Sequence, residues 1–152
     1  MNGTEARKTA IEPTRRFIRS YDDLDVYRRS MALLKPVHRL VLRFPDYEKF
    51  DLASQMRRAC KSVPANIAEG YGKRRSAKEF QFFLSNALGS ATEMEVHLKI
   101  ARELEYLSED DYVTLFTEYE IVGKQLFRLM QHWRTLESAS PTSHVQEPNH
   151  EV

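Results

Sequence analysis

A hydrophobic seam near the middle of the sequence constrains the fold more than any other feature. Its apolar residues alternate spacings of four and three: Phe80, Leu84, Ala87, Ala91, Met94, Leu98 and Ala101. These spacings place all seven side chains on one side of an α-helix, where they can pack against neighbouring helices. The seam therefore predicts a long amphipathic helix, and Ser76 with Glu79 predicts a capping box at its start.

Two segments before the seam also show helical spacing of apolar residues. The first covers Asp22–Phe44, where Pro36 removes one backbone donor and predicts a bend in the preceding turn rather than a break. The second begins after Asp51, a predicted N-cap, and ends near Tyr71. Gly72 is then expected to let the chain turn.

A fourth amphipathic segment follows Ser108, which forms a second predicted capping box with Asp111, and extends to Leu136. Short connections between long amphipathic helices favour antiparallel neighbours. The sequence therefore predicts an all-α fold, an antiparallel up-down-up-down four-helix bundle. The predicted organisation is a flexible basic arm, the bundle and a disordered tail, over residues 1–20, 21–137 and 138–152.

The composition is that of a folded globular protein, with 41% hydrophobic and 30% charged residues. The sequence contains no apolar run of membrane-spanning length, and its basic start lacks the apolar core of a secretion signal, so we expect a cytoplasmic protein with no membrane partner. Cys60 is the single cysteine, which excludes an intrachain disulfide. We expect its thiol to be half-buried and inert.

The formal net charge of +1 conceals a separation of charge along the sequence. Residues 52–78 carry a net charge of +6, and residues 103–120 carry −7. An up-down bundle puts the two connections that follow these helices at opposite ends, which predicts one basic and one acidic end. Because helix dipoles explain only part of this asymmetry, we expect nucleic acid to bind the basic residues. They are Arg57, Arg58, Lys61, Lys73, Arg74, Arg75 and Lys78.

The sequence contains no pattern of residues typical of an enzyme. Glu93 and His97 lie four residues apart, whereas di-iron bundles need two Glu-x-x-His pairs, so no metal is predicted. Gly-rich phosphate loops and nucleophile elbows are also absent, and we expect no cofactor and no small-molecule substrate. Asn66, Glu69 and Glu93 flank seam positions and are predicted to join a polar network inside or between subunits.

A row of small residues follows Lys61 on the side of the second helix that faces away from the core stripe. Ala65, Ala68 and Gly72 continue it at helical spacing. Such a row lets another helix approach closely, and we predict an oligomer interface there, with a closed homo-oligomeric ring as the assembly. Alanine is also common on exposed helix faces, and this alternative stays open.

Five strings in the segment Asp22–Leu136 carry a family resemblance. They are Leu24-Asp-Val-Tyr27, Phe44-Pro-x-x-Glu48, Leu52-Ala-Ser-Gln-Met-Arg-Arg-Ala59, Ser62-Val-Pro-Ala-Asn-Ile-Ala-Glu-Gly-Tyr-Gly72 and Gly89-Ser-x-x-Glu-Met-Glu95. In this order they resemble the four-helix-bundle proteins encoded in intervening sequences of bacterial large-subunit ribosomal RNA genes. The resemblance implies a homopentamer without assigned enzymatic activity and with a suspected role in nucleic-acid binding. Related bundles are accessory variability determinants of diversity-generating retroelements, in which a basic pentamer engages a reverse transcriptase and its RNA.

The charge separation and the resemblance together predict a non-enzymatic, oligomeric adaptor that binds RNA or DNA. Its cations would contact phosphates with little base readout. The alternative is a protein-interaction scaffold, such as a reverse-transcriptase accessory protein, whose basic residues meet an acidic protein surface. The basic arm, the tail and Pro36 depart from the common pattern of the family and leave the subgroup open.

Overall fold

The computed structural model describes residues 18–139, with side chains described to Trp133. Most of the predicted basic arm and of the predicted disordered tail lie outside these residues. The described part is entirely helical and contains no strand. Its α-helices are α1 (Asp25–Ala32), α2 (Leu34–Val41), α3 (Leu52–Gly72), α4 (Ala77–Glu103) and α5 (Glu109–Ala139), with short 3-10 turns at Tyr21–Asp23 and Asp46–Glu48.

The helices form the predicted four-helix bundle, in which α1 and α2 together make the first member. α3 packs against α4, α4 against α5, and α1 against both α3 and α5. The loops after α2 and α4 meet at one end, where the Phe44 and Tyr106 ring centroids lie 5.2 Å apart. At the other end the Phe80 and Trp133 rings are 4.6 Å apart. These contacts confirm the up-down-up-down topology.

The first bundle helix is shorter than predicted and is interrupted at Leu33. It covers Asp25–Val41 rather than Asp22–Phe44, with Leu33 as the single residue between α1 and α2. The Leu33 amide bonds the carbonyl of Ser30 in a tightened turn, at 3.3 Å. Pro36 has no amide hydrogen for the carbonyl four residues earlier, which explains why the helix is interrupted here.

The predicted seam of α4 forms the centre of the core. All seven seam residues are fully buried. They face Met56, Val63 and Ile67 on α3, and Tyr119 and Val122 on α5, which are equally buried. Burying each large apolar side chain stabilises the fold by about 1.5–3 kcal/mol, so this core holds α3, α4 and α5 together.

Gly70 lies where α3 and α4 approach most closely. A Cβ atom at Gly70 would be only 2.9 Å from the Phe83 Cβ, whereas one at Gly72 would meet nothing within 4 Å. Gly72 has no positive φ, so the prediction that it supplies the turn is wrong. The chain turns in residues 73–76, after the end of α3. Gly70 is needed for close packing, and Gly72 is not needed for backbone conformation.

Ser76 and Ser108 act as predicted N-caps, which confirms the serine half of each predicted capping box, whereas the predicted N-cap Asp51 does not cap its helix. The Ser76 Oγ accepts the Glu79 amide at 3.3 Å, and Ser108 caps α5 in the same way. At α3, however, the Asp51 side chain makes no capping bond. The Glu48 carboxylate accepts the Leu52 amide instead, at 3.1 Å. Its longer side chain reaches the helix start from the preceding 3-10 turn.

The two glycines of α3 give a matched test of this packing. Gly70→Ala should lower the free energy of unfolding by about 1–3 kcal/mol, because its methyl group would force α3 and α4 apart. Gly72→Ala should leave it unchanged or raise it by up to about 1 kcal/mol, because alanine favours the helix. Urea denaturation of both variants at one protein concentration measures the difference, and equal values would contradict the close approach at Gly70.

Candidate nucleic-acid interface

The connection between α3 and α4 carries a compact group of cations, which we call the basic turn: Lys73, Arg74, Arg75 and Lys78. All four side chains are exposed. Successive backbone hydrogen bonds fix the connection, from the Lys73 amide to the Glu69 carbonyl and from the Ser76 amide to the Lys73 carbonyl. The cations are therefore presented by a well-defined turn rather than by a long loop.

Two cations of the basic turn lie over aromatic rings. The Arg74 guanidinium is 4.1 Å from the Tyr71 ring centroid, and its Nη1 donates to the Tyr71 carbonyl at 2.9 Å. The Lys73 Nζ is 4.7 Å from the Phe83 ring centroid and 3.6 Å from a carboxylate oxygen of Glu69. Exposed contacts of this kind contribute little stability but restrict where the charges lie.

The side chains of the other two cations, Arg75 and Lys78, make no hydrogen bond, ion pair or ring contact with residues 18–133, the range in which side chains are described. Residues 73–78 contain four basic residues and no acid. Within the side chains that the structure describes, this end of the bundle therefore carries positive charge without matching acidic partners for Arg75 and Lys78.

The remaining predicted nucleic-acid-binding residues, Arg57, Arg58 and Lys61, do not lie with the basic turn. They occupy the second and third turns of α3, near the end that carries the acidic residues. Arg58 precedes Lys73 by fifteen residues, which is about 22 Å along the helix at 1.5 Å per residue. The prediction of one basic surface formed by all seven residues is corrected to a turn of four cations and a separate group on α3.

A hydrogen bond to the backbone restrains the Arg57 side chain. Its Nη2 donates to the carbonyl of Lys49 in the loop before α3, at 2.8 Å. Arg58 lines a cavity of about 230 Å³ between α3 and α4, together with Ser62, Ser90 and Glu93. Arg57 thus supports a loop, and Arg58 lies beside a carboxylate-bearing groove, so neither extends the basic turn.

The acidic end is partly neutralised within the chain. Arg43 pairs with Asp111 at 2.9 Å, and Arg102 pairs with Glu109 at the same distance. Glu105, at the turn after α4, has a φ of 60°. Because bases are interleaved with these acids, the acidic end is less one-sided than the sequence count predicts.

Two of the three predicted interface residues, Ala65 and Ala68, line a groove. Ala65 and Gly72 are exposed, and Ala68 is half-buried. The two alanines border a groove of about 260 Å³ between α1 and α3, which Met31 and Lys61 also line. Met31 is 42% exposed there, so the small side chains lie next to accessible apolar surface.

The three residues of the predicted polar network make separate contacts within the chain. Asn66 donates to the Ser62 carbonyl at 2.9 Å and to the Ser62 hydroxyl at 3.0 Å. Glu69 lies near Lys73. Glu93 hydrogen-bonds the Nε2 of the buried His97 at 3.0 Å. The Ser62 hydroxyl also lies 2.9 Å from the Ser90 hydroxyl, so Asn66 does join a polar network, one that bridges α3 and α4 through two serines that sequence reasoning missed.

A second missed group surrounds Glu48, which is only 9% exposed. The Tyr106 hydroxyl donates to its carboxylate at 3.0 Å and lies 3.0 Å from the Tyr47 hydroxyl. The hydrogen bond with Tyr47, followed by burial and the Glu48 charge, raises the pKa of Tyr106. Tyr106 therefore stays protonated and joins the two loops at the acidic end. The string Phe44-Pro-x-x-Glu48 was the one sequence feature that pointed to this group.

Metal-ligating side chains and the single cysteine are the groups in which bundle chemistry would be expected. The described residues contain no cluster of three or more His, Cys, Asp or Glu side chains that could hold a metal ion. Cys60 is fully buried rather than half-buried, and its thiol donates to the Arg57 carbonyl at 3.3 Å. Burial raises the pKa of Cys60 to about 11. None of the described helices is long and apolar enough to cross a membrane.

Comparisons with known proteins relate the chain to one family and one solved fold. The sequence model of a family described as 23S rRNA-intervening sequence protein matches residues 22–128. A protein with unknown function from the S23 ribosomal protein family of Bacteroides thetaiotaomicron has a similar structure, with a TM-score of 0.63 and 24% identity. The similarity covers 70% of this chain and 95% of that protein, and it shows the fold alone. No curated protein matches the chain significantly.

The buried thiol gives a pH-dependent test of the bundle. At pH 8 roughly one Cys60 in a thousand is a thiolate for a pKa near 11, so iodoacetamide should modify the native protein very slowly and the unfolded protein readily. The free energy of unfolding should also fall as the pH rises from 9 towards 11, because the unfolded thiol ionises first. Cys60→Ala should remove this part of the pH dependence. Rapid labelling of the native protein would contradict the burial.

Proposed function

We propose, because the chain belongs to the family of 23S rRNA-intervening sequence proteins, that it is a non-enzymatic, oligomeric four-helix-bundle adaptor that binds RNA. The observation that carries the proposal is the basic turn. Two of its cations, Arg75 and Lys78, have no partner in the described part of the chain. The family description, which names an RNA gene region, supports RNA as the polyanion.

The geometry of the basic turn suits a phosphate backbone better than one specific base sequence. Its four charges lie within six residues at one end of the bundle, and Lys73 and Arg74 are restrained over aromatic rings. Cations of this kind release counterions from a nucleic acid and bind it with little dependence on sequence. Affinity should therefore fall steeply with salt concentration.

We extend the proposal to a homo-oligomer, with a pentamer as the expected state. The groove between α1 and α3 supports it, because Ala65 and Ala68 would let a second copy approach beside the exposed Met31. An assembly repeats the basic turn once per subunit, and linked weak sites bind one RNA much more tightly than a single site does.

The first test reverses charge in the basic turn. The double variant Arg75→Glu with Lys78→Glu should weaken binding of a fluorescein-labelled RNA by tenfold or more at low salt, and should reduce the salt dependence. Neither side chain supports the fold, so folding should be unaffected. Lys35→Glu with Arg39→Glu is the matched control, since these α2 residues are also exposed and lack intrachain contacts in the described range.

Fluorescence anisotropy at several salt concentrations gives the result. Absence of binding at low salt, affinity indifferent to salt, or an equal loss in the control would each overturn the proposal. If the protein binds an acidic protein through the basic turn and no RNA, the function is that of a protein-interaction scaffold, for example beside a reverse transcriptase.

The second test concerns the assembly. Ala65→Trp should fill the groove between α1 and α3 and convert the oligomer to a monomer, while Thr117→Trp on the exposed face of α5 should leave the assembly intact. Native mass spectrometry at micromolar concentration measures both variants. A monomeric unaltered protein under these conditions would exclude the oligomer.

A further inference from the structure

Phe82 is an exposed aromatic residue beside the basic turn. It lies on α4 and is 59% exposed. Lys78 precedes it by four residues, so the two side chains are neighbours on one face of the helix, with Cβ atoms about 5–6 Å apart. The bundle core does not explain an exposed phenylalanine at this position, because the core face of α4 is formed by the fully buried seam residues.

Phe82 is also linked to Lys73 of the basic turn, through the ring of Phe83. Its ring meets the Phe83 ring edge to face, with centroids 5.2 Å apart and an interplanar angle of 79°. The Phe83 ring in turn carries the Lys73 ammonium at 4.7 Å. An accessible aromatic face thus lies within a group of positive charges, which is the combination that single-strand-binding proteins use.

We propose that Phe82 is a stacking platform for an unpaired base and that the basic turn consequently selects single-stranded over double-stranded RNA. This inference rests on the proposed function and adds the class of nucleic acid. Stacking would remove the exposed ring from water while Arg75 and Lys78 contact the flanking phosphates. In an A-form duplex the bases are stacked on one another and cannot lie flat on a protein ring.

The position of Phe82 favours an anionic partner over a second copy of the chain. The apolar groove that would receive another copy lies between α1 and α3, and α1 makes no packing contact with α4 within residues 18–139. Two cations of the basic turn, by contrast, are neighbours of Phe82: Lys78 one helical turn before it, and Lys73 through the Phe83 ring. Charge complementarity therefore points to a nucleic acid.

Substitutions of Phe82 test this inference. Phe82→Ala and Phe82→Leu should each weaken binding of a single-stranded RNA by about tenfold, a typical loss when one stacked base loses its aromatic partner. Phe82→Tyr should keep wild-type affinity because it keeps the ring. The affinity for a duplex of the same sequence, and the salt dependence, should not change, because the phosphate contacts remain.

Phe127 provides the matched control, because it is 54% exposed on α5 and lies away from the basic turn. Phe127→Ala should bind single strands as the unaltered protein does. A single-stranded RNA that contains 2-aminopurine gives a direct readout, since its fluorescence should be quenched by the unaltered protein and not by Phe82→Leu.

The outcomes separate this inference from the proposed function. If Phe82→Leu binds single strands normally, or weakens duplex binding equally, stacking is wrong, while loss of binding in the Arg75 and Lys78 variant still supports the adaptor. A change in the native mass of Phe82→Ala would assign the ring to a subunit contact and overturn the inference. Absence of any RNA binding by the unaltered protein would overturn both proposals.

Discussion

The packing of α3 against α4 determines where every candidate functional residue lies. The buried seam of α4 closes on α3, and Gly70 lets the two backbones approach at the end where the chain turns. Because only four residues connect these helices, the turn has little freedom once the helices have packed. The same approach brings Phe83 within reach of the Lys73 ammonium. Core packing thus determines the positions of the cations in the short turn between α3 and α4.

The two ends of the bundle differ in how many of their charged side chains form ion pairs within the described part of the chain. At the acidic end, carboxylates are matched by arginines from other parts of the chain, as in the pair of Arg43 and Asp111. At the basic turn, Arg75 and Lys78 have no such match in the described part. Exposed ion pairs are worth little to stability, so this difference has little effect on folding. It does leave the cations of the basic turn available to attract an anionic partner.

Hydrophobic periodicity predicted the bundle well. The spacing of apolar residues in α4 can be read from the local sequence, and it shows which side of the helix must be buried. Features that depend on which side chain reaches a neighbour were not predictable. Glu48 rather than Asp51 caps α3 because the fold brings its longer side chain to the helix start. The net charge of residues 52–78 grouped Arg58 with Lys73. The two residues lie near opposite ends of α3, because each residue of a helix adds about 1.5 Å along its axis. Phe82 escaped notice because sequence alone does not show which aromatic residues stay exposed.

The interruption at Leu33 divides the first bundle helix into two pieces of eight residues each. Helices this short are not stable alone in water, so each piece depends on its own tertiary contacts. α1 buries only Val26 and Ser30, whereas α2 buries three apolar residues. The bundle thereby contains a small unit that can detach by local unfolding at a lower free-energy cost than the rest. Detachment of α1 would widen access to α3 while the seam between α3 and α4 stays closed.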